Sequence, residues 1–137
     1  MIRCVKERIL DQEILDLLKP SVYNPTPEKL LNRANKYKEN GNAYIYAFEE
    51  GGKYKGIVVF DKTDKTATIL DIAIKEEYRR QGIGTKLIDF IFDKFHIDTV
   101  RAETDDDAVE FYKKYGFITA EEIIKFNTKR YLLIKEK

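Results

Sequence analysis

Residues 69–88 read Ile-Leu-Asp-Ile-Ala-Ile-Lys-Glu-Glu-Tyr-Arg-Arg-Gln-Gly-Ile-Gly-Thr-Lys-Leu-Ile. The apolar run from Ile69 to Ile74 has the composition of a strand, and the stretch from Leu87 onward has the spacing of an amphipathic helix. Between them lies a turn with two glycines and two arginines. Strand, glycine-bearing turn and helix, in that order, aim a row of backbone N–H groups at one point. The first N–H groups of a helix lack internal partners and sit at the positive end of its dipole. Gly82 and Gly84 are expected to clear side chains from that row, and Arg79 and Arg80 to bring charge to its rim. The stretch predicts an anion cradle built on Gln81, Gly82, Ile83, Gly84 and Thr85. The alternative is a basic turn that caps a helix and binds nothing.

Two other phosphate loops do not fit the spacing. A Walker loop needs Gly-x-x-x-x-Gly-Lys-Ser/Thr, whereas Lys86 stands two residues past Gly84 and is followed by Leu87. A dinucleotide fingerprint needs a third glycine three residues after the second, and Leu87 occupies that place. What remains is Arg79-x-x-Gly82-x-Gly84.

Upstream, a short strand (Ile2 and Cys4 alternating with Arg3 and Val5) precedes an apolar helix face at Leu10, Ile14, Leu17 and Leu18. Lys19-Pro20 stops that helix and residues 20–25 form a loop. Thr26 as N-cap and Pro27 at the first position open a second helix with the face Leu30, Leu31, Ala34 and Tyr37. Strands then follow at 43–49 and from Tyr54 to Phe60, joined by Glu50-Gly51-Gly52-Lys53, with a third from Ala67 to Ile74, apolar nearly throughout as if covered on both faces. The helix after the cradle buries Leu87, Ile88, Ile91 and Phe95, and His96 is a solvated residue at its end. Thr99 to Glu103 is a short strand. Asp105-Asp106-Asp107 starts a helix with inner face Ala108, Phe111, Tyr112 and Tyr115, stopped by Gly116, and Phe117 to Ile134 forms two strands joined near Asn127-Thr128. The fold class expected is α/β: a mixed, mostly antiparallel central sheet of about seven strands flanked by four helices.

A chain of 137 residues suits a single domain, 1–137, with no linker or repeat inside it. Its 25 basic and 24 acidic residues balance, which gives no electrostatic reason to expect nucleic acid or an anionic membrane as partner. No apolar stretch approaches the roughly 20 residues of a membrane span. One cysteine permits no internal disulfide, and Cys4 is expected as a buried thiol in a cytoplasmic protein. With one His and one Cys, no metal site of the usual zinc ligand types can be assembled.

A second motif, Asp105-x-x-Ala108-x-x-Phe111-Tyr112-x-x-Tyr115-Gly116-Phe117, joins the first. Together the two, with the order of elements, resemble the GNAT family of N-acetyltransferases over nearly the whole chain. Asp105 departs from the Asn often found there: a carboxylate accepts hydrogen bonds but cannot donate an amide N–H. The resemblance implies acetyl-CoA as acyl donor and direct transfer to a primary amine, of a small molecule or a peptide end, in a ternary complex. It implies that the cradle holds the pyrophosphate, with Asp105 and Tyr112 also at the coenzyme. Ile72, Ala73 and Ile74 would pair with the pantetheine amides and polarise the thioester carbonyl. Tyr112 would be the acid that protonates the departing thiolate, against a plain packing role. The acceptor would lie near Tyr23 and Asn24 in the first interhelical loop and Phe126 and Asn127 in the last hairpin.

The attacking amine must be neutral. At pH 7.4 this costs a lysine-like amine roughly 4 kcal/mol and an α-amine under about 1 kcal/mol. Asp71 and Glu103 are the candidate bases, with Asp71 alternatively a hydrogen-bonded or edge-exposed acid, because a carboxylate in an apolar strand is costly to bury alone. A monomer or homodimer is expected. The rival function is a non-catalytic acyl-CoA-binding sensor of the same fold.

Overall fold

Strand β3 (Lys53–Thr63) carries the core on both of its faces. Ile57 and Val59 point to one layer, and Val58 and Phe60 to the other, as the two-residue period of a strand requires. In the computed structural model, which describes residues 1–137, β3 is the third strand of one seven-stranded sheet. Its companions are β1 (Ile2–Cys4), β2 (Ala43–Glu50), β4 (Thr66–Ile74), β5 (Thr99–Thr104), β6 (Ile118–Lys125) and β7 (Thr128–Glu136), in the order β1-β2-β3-β4-β5-β7-β6. Only the β4–β5 pair is parallel.

Helices α1 (Gln12–Leu18) and α2 (Pro27–Glu39) cover the first face, where Ile14, Leu17, Leu18, Leu30 and Ala34 pack on Ile57 and Val59. Helices α3 (Ile83–Phe95) and α4 (Val109–Tyr115) cover the second, with Ile83, Leu87, Ile88, Ile91 and Tyr112 around Val58 and Phe60. Each fully buried Leu or Ile side chain here contributes about 1.5–3 kcal/mol relative to exposure. As the sequence predicts, Thr26 caps α2: its Oγ1 accepts from the Lys29 N–H at 3.2 Å.

A one-residue irregularity in β4 shapes everything that follows. Val59 stands opposite Asp71 and Phe60 opposite Ile69, so Leu70 is an extra residue, a β-bulge. The bulge inverts the alternation. Ile69 faces the α3 layer with Phe60, whereas Asp71 lies on the other face with Val59, toward α2. Ladder pairing between β4 and β5 also ends at Ile69↔Ala102. From Leu70 to Ile74, β4 is held by β3 along one edge, and its other edge opens into a cleft.

Several sequence expectations need correction. Cys4 is exposed, not buried, because β1 is an edge strand and Val5 is the residue that turns inward. Leu10 precedes α1 and is exposed, and Leu31 lies off the buried stripe of α2. β4 is not covered throughout, since Leu70 at the bulge is exposed. The three aspartates precede α4 rather than forming its first turn; α4 starts at Val109. Asp105 Oδ1 instead accepts the N–H groups of Asp107 at 3.0 Å and Ala108 at 3.1 Å, a side-chain turn that feeds the helix.

Candidate active site

The turn ahead of α3 has the geometry of a cradle. Arg80 (φ 65°) and Gly82 (φ 78°) are both left-handed, and Gly82 caps α3. None of the N–H groups from Arg80 to Thr85 donates to another group of the protein; the first to do so is Lys86, to the Gly82 carbonyl at 3.0 Å. These donors therefore converge at a helix N-terminus with their capacity unspent. A Cβ at Gly82 would meet nothing within 4 Å. Gly84 differs: a Cβ there would lie 2.8 Å from the Phe111 ring, so its lack of a side chain lets α3 and α4 approach rather than clearing room for a ligand. The Arg79 Nε donates to the Ile74 carbonyl at 3.3 Å, which ties the turn to the end of β4 and leaves the rest of the guanidinium free.

A cleft of about 1920 Å³ runs from this turn, along the free edge of β4, to the loop between α1 and α2. Ile72, Ala73, Ile74, Arg79, Arg80, Gly82, Ile83, Gly84 and Thr85 all line it, as do Asp71, Glu103, Asp105, Tyr112 and Tyr23. Gln81, Asn24, Phe126 and Asn127 are not among the lining residues. The Phe126 side chain is 91% exposed at the β6–β7 turn, where Phe126 and Asn127 both take positive φ.

Tyr112 is 4% exposed, with its ring against Phe111 and Phe117. Its hydroxyl makes no hydrogen bond within the protein, yet no sealed side-chain polar atom is left unpaired. The phenol oxygen therefore opens to the cleft that Tyr112 lines. Burial pushes its pKa well above the ordinary phenol value, and the nearby Asp71 charge adds to this, so the phenol is protonated at neutral pH.

Asp71, 6% exposed, lies on the free-edged stretch of β4, yet its carboxylate is hydrogen-bonded within the protein rather than exposed at that edge. Its Oδ2 accepts from the Tyr37 hydroxyl at 2.9 Å and from Arg33 Nη1 at 3.2 Å. Oδ1 has no protein partner and, by the same reasoning as for Tyr112, reaches the cleft. The Tyr37 phenol is held protonated by burial first and by Asp71 second. Glu103 is engaged as well: Arg130 Nε lies 3.1 Å from its Oε2 and Lys125 Nζ 3.8 Å from its Oε1. Arg130 Nη1 is also 4.0 Å from Asp105 Oδ2, so one guanidinium stands between both carboxylates.

Arg33, Tyr37 and Arg130, which hold the carboxylates of the cleft, are among the lining residues that sequence reasoning missed as site groups. A signal was present for two of them. A carboxylate buried in a strand needs donors, and α2 offers a cation and a phenol at i and i+4 on one face. Arg130 gave no comparable local sign.

Comparison with known proteins identifies the family and the fold. A family model described as an acetyltransferase (GNAT) domain matches residues 16–132. An uncharacterized N-acetyltransferase, ycf52, from Gracilaria tenuistipitata var. liui is 32% identical over 93 residues, covering 61% of this chain and 51% of its own. The chain thus spans about half the length of that curated relative. Among solved structures, an aminoglycoside 6'-N-acetyltransferase complexed with coenzyme A superposes with a TM-score of 0.82 at 13% identity, over 99% of this chain and 96% of the other. The ribosomal-protein-S18-alanine N-acetyltransferase from Escherichia coli gives 0.79 at 15% identity, over 99% and 92%. At these identities the structural likeness speaks for the fold.

Proposed function

The chain belongs to the GNAT acetyltransferase domain family, and from that premise we propose that it transfers an acetyl group from acetyl-CoA to a primary amine by direct attack within a ternary complex. One observation carries the proposal. A single cleft joins a row of unspent N–H groups, the free edge of a strand, an open phenol and an open carboxylate oxygen, and acyl transfer to nitrogen needs each of these.

The residues present fit the donor. A diphosphate matches the N–H groups of 81–85, with Arg79 and Arg80 at the rim and open space over Gly82. The pantetheine amides match the unpaired edge at Ile72, Ala73 and Ile74, as an added strand would. An N–H of that edge can polarise the thioester carbonyl. The neutral amine attacks the carbonyl carbon, the C–N bond forms, and the C–S bond breaks. Tyr112 gives its proton to the departing sulfur.

Asp71 Oδ1 is the proposed acceptor of the amine proton, with Arg33 and Tyr37 fixing the carboxylate through its other oxygen. Glu103, spent on Arg130 and Lys125, serves the wall rather than the chemistry. Tyr23 is proposed to border the acceptor, with Asn24, Phe126 and Asn127 outside the lining of the cleft. Cytoplasm is the proposed setting; no helix is long and apolar enough to cross a membrane.

The test is release of free thiol from acetyl-CoA across an amine library, alongside calorimetric titration with CoA. Turnover with at least one amine class is expected. Tight CoA binding without turnover of any amine would make the chain an acyl-CoA sensor, and no binding at all would remove the cradle.

A further inference from the structure

Charged side chains line the cleft beyond the cradle. Among them are the cations Lys29, Arg33, Lys36 and Arg130 and the carboxylates Asp71, Glu103, Asp105 and Asp107. Three of these carboxylates already have a cation within reach: Arg33 at 3.2 Å from Asp71, and Arg130 at 3.1 Å from Glu103 and 4.0 Å from Asp105. The cations are not spent to the same degree. Lys29 Nζ is tied to the carbonyls of Tyr23 and Asn24 and pins the interhelical loop. The Lys36 ammonium makes no ion pair and no hydrogen bond, although it lines the cleft.

Arg33 is the more informative of the pair on α2. A guanidinium has five N–H donors in a planar fork. Arg33 uses Nη1 alone, for the Ser21 carbonyl at 3.3 Å and for Asp71 at 3.2 Å. Both contacts fix the plane of the group, and neither uses the edge formed by Nε and Nη2. That edge is the one that binds a carboxylate with two parallel hydrogen bonds. A fork oriented by the protein, with its recognition edge left over, is preorganised for an anion.

We infer that the acceptor is a primary amine that itself carries a carboxylate, its anionic end taken by Arg33 and Lys36 and its amine directed to Asp71 Oδ1. The two halves of such a molecule match the two halves of the Arg33–Asp71 pair. A polycationic amine would meet Lys36 and the free edge of Arg33 on its way in. The inference rests on the acetyl transfer proposed above. The carboxylate can come from a free α-amino acid or from an acidic residue following a peptide's first residue; the chemistry recognised is the same.

The full chain with acetyl-CoA tests this directly. Thiol release would be measured for free α-amino acids, the matching carboxamides, short peptide amides with Asp or Lys at the second position, and spermidine. Free amino acids, or the Asp-containing peptide, should exceed their uncharged or basic counterparts in kcat/KM by about tenfold or more at low salt. The preference should shrink with added salt, because these cations are partly exposed. Lys36→Ala should raise KM for the carboxylate-bearing amine several-fold while leaving its carboxamide unchanged, a split that general damage to the fold would not produce. Whichever of the two anionic arms is faster identifies the source of the carboxylate. Carboxamides or spermidine used as well as the acids, or a Lys36→Ala loss shared equally by acid and amide, would overturn the inference and leave acetyl transfer standing. Absence of turnover with every amine would overturn both.

Discussion

Gly84 on α3 and Phe111 on α4 are in contact through the absence of a side chain: an alanine Cβ at position 84 would sit 2.8 Å from both Cε1 and Cζ of the ring. The two glycines of the cradle therefore serve different ends, Gly82 through its left-handed φ of 78° and the open space above it, Gly84 through helix packing. Gly84→Ala should destabilise the protein by about 1–3 kcal/mol, the usual cost of overpacking. Phe111→Leu in the same chain should recover much of that loss. Chemical unfolding of the two single variants and the double variant measures the coupling; strict additivity would mean that the ring moves aside at no cost. Gly82→Val should weaken CoA binding in calorimetry more than Gly84→Ala does.

Tyr112→Phe removes one oxygen and, on this structure, no protein hydrogen bond. Stability should therefore change little, within about 0.5 kcal/mol. Turnover should fall by about a hundredfold or more if the phenol is the acid for the thiolate, with CoA affinity nearly unchanged. Equal loss of kcat and of CoA affinity would instead mark Tyr112 as a packing residue.

The order of elements was legible because its signals are local: the Thr26-Pro27 helix start, the Glu50-to-Lys53 turn, and the glycines between strand and helix all act within a few residues. The bulge at Leu70 was not, since one extra residue in an apolar run leaves no mark on composition. Strict alternation through β4 would have put Asp71 on the face of Ile69, away from Arg33 and Tyr37. The role of Gly84 was hidden for a similar reason, because what excludes a Cβ there belongs to another helix. Asp105, read as an amide lost, keeps a carbonyl-like duty through Oδ1 that the sequence could not assign.

Alkaline titration should expose the buried phenols. Tyr37, Tyr112 and Tyr115 all have pKa values raised above 10.0, chiefly by burial, with Asp71 or Asp89 adding to the shift. Unfolded tyrosines release their protons near pH 10 while these three retain theirs. The folded state then binds more protons than the unfolded one, so stability is unaffected below pH 10 and declines as pH rises beyond it. Phenolate absorbance should show a delayed fraction that titrates together with unfolding. Full titration of all nine tyrosines near pH 10, with the fold intact, would contradict the burial described here.

Asp71→Asn keeps an acceptor for Tyr37 and Arg33 but removes the charge and the base. The expected result is a fall in kcat/KM for the amine of about ten- to a hundredfold or more, with KM for acetyl-CoA unchanged. Asp71→Ala should cost more in stability, about 1–3 kcal/mol, because the half-buried Tyr37 hydroxyl is left without its partner. Tyr37→Phe combined with Asp71→Ala should cost less than the two single losses summed, as for any pair sharing one hydrogen bond. Additive losses would separate Tyr37 from Asp71.

Asp105→Asn asks whether a carboxylate is needed in the turn that leads into α4. The Oδ1 bonds to the N–H groups of Asp107 and Ala108 survive the change, since an amide oxygen accepts equally well, so the turn into α4 should hold. What changes is the second atom. Oδ2, 4.0 Å from Arg130, becomes an N–H donor, which releases Arg130 to Glu103 alone and offers the cleft a hydrogen bond it lacked. Removing a negative charge from the cleft wall should also favour an anionic donor. Calorimetry should therefore find CoA bound as tightly as before or more tightly, with thermal stability little altered. A several-fold loss of CoA affinity would mean that the Asp105 charge orients Arg130 for the coenzyme, and Arg130→Gln should then reproduce that loss.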